Sequence, residues 1–307
     1  MALFDSISPW PITRRSLLKQ GLCGAVGLAL YSSEIERHWI EVTERDISLL
    51  GLPQVFDGMR IAQLSDIHLD EYTEPFFLRD VIERVNRMAP DAIFLTGDFV
   101  SESPLPRRFS SSAFSRKARK FGVGAAWQCG NLLRELKCRQ LYAILGNHDV
   151  VVGAREVTEA LTANGITLLR NAYLPIERPG GRFWLAGLDD PVEGDPNPDL
   201  AIPPRIRNVQ NEPVVLMCHA PDYVDDLRAL PVGNAIGLML SGHTHGGQIR
   251  LPLVGALELP SLGKKYVEGW FRFGGLQLHV NRGIGTVGVP FRLNCPPEIT
   301  LITLRTG

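Results

Sequence analysis

No CxxC pair occurs anywhere in the chain. Its five cysteines, Cys23, Cys129, Cys138, Cys218 and Cys295, are odd in number and widely spaced, which argues against a disulfide framework. Most read as small buried hydrophobes, and the spacing assigns no place to Cys295. Net charge is also missing: 32 basic and 33 acidic residues leave −1. No global field therefore points to nucleic acid or to an acidic partner, and no nucleic-acid recognition motif is present. No internal repeat is visible. The one N-terminal apolar stretch, Gly21 to Tyr31, falls short of the roughly 20 residues that a spanning helix needs. Histidine is scarce too, with seven in 307 residues.

What remains is an ordinary globular composition, 45% hydrophobic and 21% charged, long enough for one large or two small domains. Residues 1–37 read as a segment apart from the fold. "TRRSLLK", with Arg14 and Arg15, resembles a twin-arginine export signal, although Leu17 stands where that pattern has Phe and no A-x-A cleavage site follows. The expectation is export to the periplasm or cell envelope, or retention as an inner-membrane anchor. A cytoplasmic face is expected if the leader is no export signal, and a plain amphipathic N-terminus is the simpler alternative.

Residues 38–307 read as one continuous α/β unit. "HWIEVTERDISLL" alternates partially and suggests an edge strand. Five short apolar runs then end in polar clusters: "MRIAQLSDIH", "DAIFLTGD", "LYAILGNHD", "PVVLMCHA" and "IGLMLSGHTH". Such runs fit buried strands. Helical patterns lie between them: "EPFFLRDVIERVNRM" with Pro75 in its first turn, "GAAWQCGNLLRELK", "AREVTEALTANG" stopping at Asn164-Gly165, and "PDYVDDLRAL". "YLPIERPGGRFWLAGLDD" reads as a hairpin turning at Gly180-Gly181, and "LQLHVNRGIG" and "EITLITLRT" return to strands. The fold class expected is α/β, two packed β-sheets flanked by helices. Between the second and third runs, "SESPLPRRFSSSAFSRKARKFG" is Ser-rich and basic, with three phenylalanines. A solvated loop is the plainer reading, and membrane-surface contact through 105–121 is the sharper one.

Five of the seven histidines, His68, His148, His219, His243 and His245, sit in the polar clusters just past apolar runs. Ligands bind at that end of open α/β sheets. Asp66 and His68 are two apart, as are His243 and His245, so an extended strand end would turn each pair to one face. Gly97, Gly146 and Gly242 precede Asp98, Asn147 and His243, where a crowded site needs a small residue. Four imidazoles, two carboxylates and one amide oxygen exceed what one tetrahedral zinc takes and suit two cations sharing a carboxylate. Asp189 and Asp190 read equally as a turn or as contacts behind the site, Arg282 as a candidate phosphate grip, and Asp70 as a strand end.

The ordered set "SDIH", "TGD", "LGNHD", "MCH" and "SGHTH" resembles the calcineurin-like metallophosphoesterases, an α/β sandwich family. The resemblance implies a phosphoester hydrolase with two divalent or trivalent ions (Mn, Fe or Zn) and a metal-bridging water as nucleophile. Asp66, His68 and His245 would hold one ion, and Asn147, His219 and His243 the other, with Asp98 bridging. His148 would face the substrate, and Asp149 would orient it and keep it charged. "SGHTHGGQIRLP" together with "NRGIG" and "NCPPEI" looks like the bacterial branch with N-terminal signals or anchors. A phosphodiesterase is the leading expectation. A lipid A pathway UDP-2,3-diacylglucosamine pyrophosphatase, whose phosphoester substrate is lipid-linked, is the alternative. A non-catalytic metal-binding scaffold is the rival from another class.

Overall fold

The structure, a computed structural model, describes residues 13–69, 72–101 and 112–307, without the side chains of 112–119. It begins with α1 (Arg14–Leu30), a helix with no buried residue. Among the described residues no helix is long and apolar enough to cross a membrane. The edge strand β1 (Glu41–Leu49) follows, then β2 (Arg60–Leu64), α2 (Pro75–Met88), β3 (Ala92–Leu95), α3 (Ser112–Leu133), β4 (Leu141–Ala143), α4 (Asn147–Thr162) and β5 (Thr167–Leu168). The hairpin β6 (Ala172–Arg178) and β7 (Gly181–Gly187) leads to β8 (Val214–Met217), β9 (Ile236–Ser241), the short β10 (Arg250–Leu251) and β11 (Gly255–Ala256), then β12 (Gly269–Phe273), β13 (Leu276–Val280) and β14 (Glu298–Thr306).

Two six-stranded sheets form, ordered β1-β14-β2-β3-β4-β5 and β12-β13-β9-β8-β7-β6. In the first, β14 runs parallel to β1 and antiparallel to β2, and the other pairs are parallel. In the second, only the outer pairs β12–β13 and β6–β7 are antiparallel. Strand residues alternate between two cores. Ile61, Phe94, Val215, Met217 and Leu240 pack between the sheets, and Ala62, Ile93 and Leu95 pack outward under α2, α3 and α4. Val214, Leu216 and Met239 face a third cluster with the helix Val224–Ala229. Burial on both faces explains why these strands read as continuous apolar runs. Gln63 is a buried polar residue of the sandwich. Its Nε2 donates to Ser241 O at 2.9 Å, and its Oε1 meets His279 Nδ1 at 2.8 Å, so it ties β2 to β9 and β13.

Several boundaries differ from the sequence reading. The hairpin turns at Pro179-Gly180, since Arg178 pairs with Gly181, and the left-handed φ of +99° falls on Gly180. Half of the basic segment is helix, because "SAFSRKARKF" is rich in helix formers and α3 takes it up from Ser112. Residues 102–111 of that segment lie outside the described residues, as does Asp70. The N-terminal segment does not stop at residue 37. Ser32 and Glu36 are buried. Ser32 O accepts from Arg292 N at 3.1 Å, and Glu36 Oε1 accepts from Cys295 N at 2.6 Å. The residues from Ser32 to His38 thus belong to the packed domain, and α1 alone stands clear of it.

Candidate metal centre

The C-terminal ends of β2, β3 and β4 in one sheet meet those of β8 and β9 in the other. They do not continue as extended chain. Asp66, His68, Asp98, His243 and His245 have φ of 51°, 46°, 55°, 72° and 49°. The expected one-face pairing of i and i+2 on a strand therefore fails as an explanation, since β2 ends at Leu64 before either Asp66 or His68. Left-handed backbone at alternate residues turns the side chains inward instead, at a conformational cost of about 1 kcal/mol or more for each residue. Backbone hydrogen bonds hold the loops against that cost. Asp66 N donates to Gly97 O at 2.9 Å, His68 N to Asp98 O at 3.0 Å and Gly285 N to Asp66 O at 2.7 Å.

Crowding matches the glycines read from sequence. A Cβ on Gly242 would strike Ser65 Oγ and Asp66 Oδ2, and one on Gly146 would strike Asp98 Oδ1. "LGNHD" is likewise not extended. Gly146 caps α4, and Asn147, His148 and Asp149 form its first turn. Helical spacing sends the three side chains in three directions. His148 N donates to Asp98 Oδ1 at 2.9 Å. Asp149 is buried and turned back. Its Oδ1 accepts from Phe99 N and Val100 N at 2.9 and 3.3 Å, and its Oδ2 from Gly146 N at 3.0 Å. Both oxygens are thus engaged by backbone amides of the loop after β3 and of Gly146.

Ligand atoms converge in three groups, each within 4.8 Å: Asp66, His68 and His245; Asp98, His219 and His243; and His68, Asp98 and His148. Asp98 Oδ2 lies 3.2 Å from His219 Nε2 and 3.5 Å from His68 Nε2. Asp66 Oδ1 lies 3.5 Å from His245 Nε2. The far ring nitrogens are tethered. His219 Nδ1 donates to Thr96 O at 2.7 Å, His243 Nε2 donates to Ser261 O at 2.7 Å, and His68 Nδ1 meets Ser101 Oγ at 3.0 Å. Carbonyls only accept, so neutral His219 presents a lone pair at Nε2 and neutral His243 at Nδ1.

Electrostatics favour a cation here. Burial drives His68 and His245 well below the ordinary imidazole value and His243 down to about 4. Burial opposes the charge on His219 as well, yet Asp98, then Asp66 and Asp190, hold it well above that value. Burial would raise Asp98, but His219, His148 and His68 draw it well below the carboxylate range. Asp149 goes the other way, raised by burial and by the charge of Asp98. Buried carboxylates beside His68, His243 and His245, which burial keeps neutral, call for positive charge, and the raised value of His219 answers the same need. The donor set fits metal on a second count. Asn147 Oδ1 and His219 Nε2 are buried without a hydrogen-bond partner. An amide oxygen and an imidazole lone pair in that state are ready ligands.

Other candidates fall outside this cluster. Arg282 is engaged by Glu298, Glu41 and Glu268, so the phosphate-grip reading is withdrawn. Asp189 accepts from Asp190 N, Asp195 N and the Arg170 side chain, and Asp190 Oδ2 from Val192 N and Glu193 N, so both shape a turn, while the charge of Asp190 also reaches His219 behind the cluster. Sequence reasoning missed Ser101, Ser261 and the 282–295 loop. Buried Arg292 donates to the carbonyls of Gly283, Gly285 and Cys295, and Cys295 Sγ donates to His245 O at 3.1 Å. "NRGIG" and "NCPPEI", at its two ends, were the signals of that loop. Beside the cluster lies a cleft of about 490 Å³, with Asp98, Asn147, His148, His243 and His245 in its wall.

The calcineurin-like phosphoesterase family matches residues 59–247, a stretch that includes every one of these ligand candidates. The chain is a calcineurin-like phosphoesterase. It is similar to the uncharacterized metallophosphoesterase YkuE of Bacillus subtilis, 33% identical across 96% of this chain and 98% of that protein. It is also similar to the phosphodiesterase YaeI of Escherichia coli, 34% identical across 80% of this chain and 82% of that protein. Among solved structures it resembles the calcineurin-like phosphoesterase YfkN of B. subtilis, with a TM-score of 0.45 and 14% identity over 74% of this chain and 81% of that one. This phosphoesterase is accordingly a metal-dependent enzyme whose substrate is a phosphoester.

Proposed function

We propose that this phosphoesterase is a dinuclear phosphodiesterase. The observation that carries the reading is that two ligand groups, Asp66-His68-His245 and Asp98-His219-His243, lie side by side with His148 next to both. One ion would be held by Asp66, His68 and His245, the other by Asn147, His219 and His243, with Asp98 shared. Mixed imidazole and oxygen donors suit Mn, Fe or Zn. When bound, the ions supply Lewis acidity, neutralising phosphoryl charge and acidifying a water.

The chain's own groups do the rest. The N-terminus of α4 lies at the site, where its positive end favours negative charge and its His148 N–H already meets the Asp98 carboxylate. His148 lines the cleft on that first turn and is placed to hand a proton to the departing ester oxygen. Asp149 fixes the turn that carries His148 by gripping the amides of Gly146, Phe99 and Val100. The name of YaeI supports a diester over a monoester. Metal-loaded protein should turn over bis(p-nitrophenyl) phosphate faster than p-nitrophenyl phosphate, with two ions per chain by elemental analysis. Absence of turnover on both with two ions bound would sink the reading. The leader, with Arg14 and Arg15 at the head of α1, supports export to or anchoring at the cell envelope. Recovery of full-length protein solely in the soluble cytoplasmic fraction would overturn that part.

A further inference from the structure

The cleft has two unlike walls. One is the metal centre with His148. The other is aliphatic, formed by Ile249, Leu257, Pro260, Val287 and Val289. Among the described residues its lining carries no lysine or arginine, and Glu258 is the one ionisable group outside the metal centre. This wall is open, not core. Leu257 and Val289 are 56% and 42% exposed, and beyond them Leu253 and Val254 at the β10–β11 turn are 109% and 69% exposed. Single exposed apolar residues are common, but an aliphatic series running from a reaction centre to a loop tip is not.

The wall is also held in place. Gln248 Nε2 donates to Val287 O and Val289 O at 3.1 and 3.2 Å, and its Oε1 accepts from Val287 N at 2.9 Å. Leu257 N donates to Ile249 O at 3.1 Å. Pro260 adjoins Ser261, whose carbonyl receives the His243 ring N–H. The wall is therefore in register with the metal ligands and needs no rearrangement to accept a chain.

We infer that the substrate of this site is an amphiphilic phosphodiester, and that its aliphatic chain lies along Ile249, Val287, Val289 and Leu257 toward Leu253 while its phosphoryl group sits at the metals. The inference rests on the phosphoesterase reading and adds the chemical class of the esterifying group. A polar alcohol gains nothing from such a wall, whereas each methylene that leaves water tightens binding by about threefold to fourfold.

The test uses n-alkylphosphonates, which are not hydrolysed, titrated calorimetrically into metal-loaded full-length protein below their micelle concentrations. From ethyl to hexyl the Kd should fall at least tenfold, and Leu257→Asp with Val289→Asp should flatten the series. A flat series in the parent protein overturns the inference, as does a series that the double variant leaves unchanged. If the double variant does not fold, Leu253→Asp with Val254→Asp, at exposed positions, should remove the further gain from hexyl to decyl, and retention of that gain overturns the inference. Vesicles of anionic phospholipid separate the two sources of chain. Co-sedimentation that Leu253→Asp with Val254→Asp abolishes assigns a bilayer-borne substrate, and chain-dependent Kd without co-sedimentation assigns a dispersed one. Binding is read without turnover, so failure to hydrolyse any diester would sink the phosphodiesterase reading and leave the alkyl series to judge the wall.

Discussion

Nε2 of His68 and Nε2 of His245 face each other across 3.1 Å, both buried and both on imidazoles that burial keeps neutral. A neutral pair at that separation shares one Nε2 proton, and a metal ion held by both nitrogens would displace it. Removing metal with a chelator is therefore expected to lower Tm by several degrees, because an ion that binds only the folded state stabilises it by mass action. Differential scanning calorimetry with and without added Mn would check this, and an unchanged Tm would count against the centre as a metal site.

His148 and Asn147 should separate under mutation although they are adjacent. His148→Ala is expected to keep the metal content and lose about 10²- to 10⁴-fold in kcat, the range for a lost proton donor. Asn147→Ala is expected to lose part of the metal, since it removes the buried, unpartnered Oδ1. Elemental analysis beside kcat decides the matter, and equal metal loss in both would show the division to be wrong.

Asp149 gives a different signature. Asp149→Ala strips acceptors from three amides and should destabilise by roughly 2–4 kcal/mol, with kcat falling at every pH. If Tm held while the acid limb of the pH–rate profile moved, Asp149 would instead be acting on the charge of His148.

Gly146→Ala should be poorly tolerated, because its Cβ would overlap the Asp98 carboxylate. Overpacking of this kind costs about 1–3 kcal/mol. Metal binding should weaken with it, as Asp98 must move. Tm and metal stoichiometry measured together test the link.

His279 should make stability fall in mild acid. Burial, with Arg282 and Arg45, outweighs Glu298 and lowers its folded pKa to about 4, against about 6.5 unfolded. Between those values the unfolded chain binds the extra proton. The contribution is therefore complete above about pH 6.5, is lost as pH falls to about 4, and is level below that. Its size is on the order of 3 kcal/mol. Urea titrations of parent and His279→Gln should differ in pH slope across that window, and parallel slopes would refute the assignment.

The inner strands β2, β3, β8 and β9 were legible because both of their faces are buried, so Ile61-Ala62 and Phe94-Leu95 read as unbroken apolar runs. The ligand candidates were legible because imidazoles and carboxylates rarely collect past such runs. How they converge was not. Nothing in Asp66 or His68 announces a left-handed backbone, which is imposed by hydrogen bonds to the loop after β3. How Asp149 is held was not legible for a related reason, since its partners Phe99 and Val100 come from about fifty residues earlier. Gln63 and Arg292 escaped notice because a polar residue that bonds to remote backbone leaves no periodic trace. The domain boundary drawn at residue 37 mistook a docked segment for leader.

That docked segment limits how the chain can be trimmed. A maturation protease cutting near Leu30 would release α1 and leave Ser32 and Glu36 seated on Arg292 and Cys295. A cut after His38 would take away the carboxylate that holds the Cys295 amide, in the loop whose thiol touches the carbonyl of His245. A cut that leaves the packed domain whole therefore falls before Ser32.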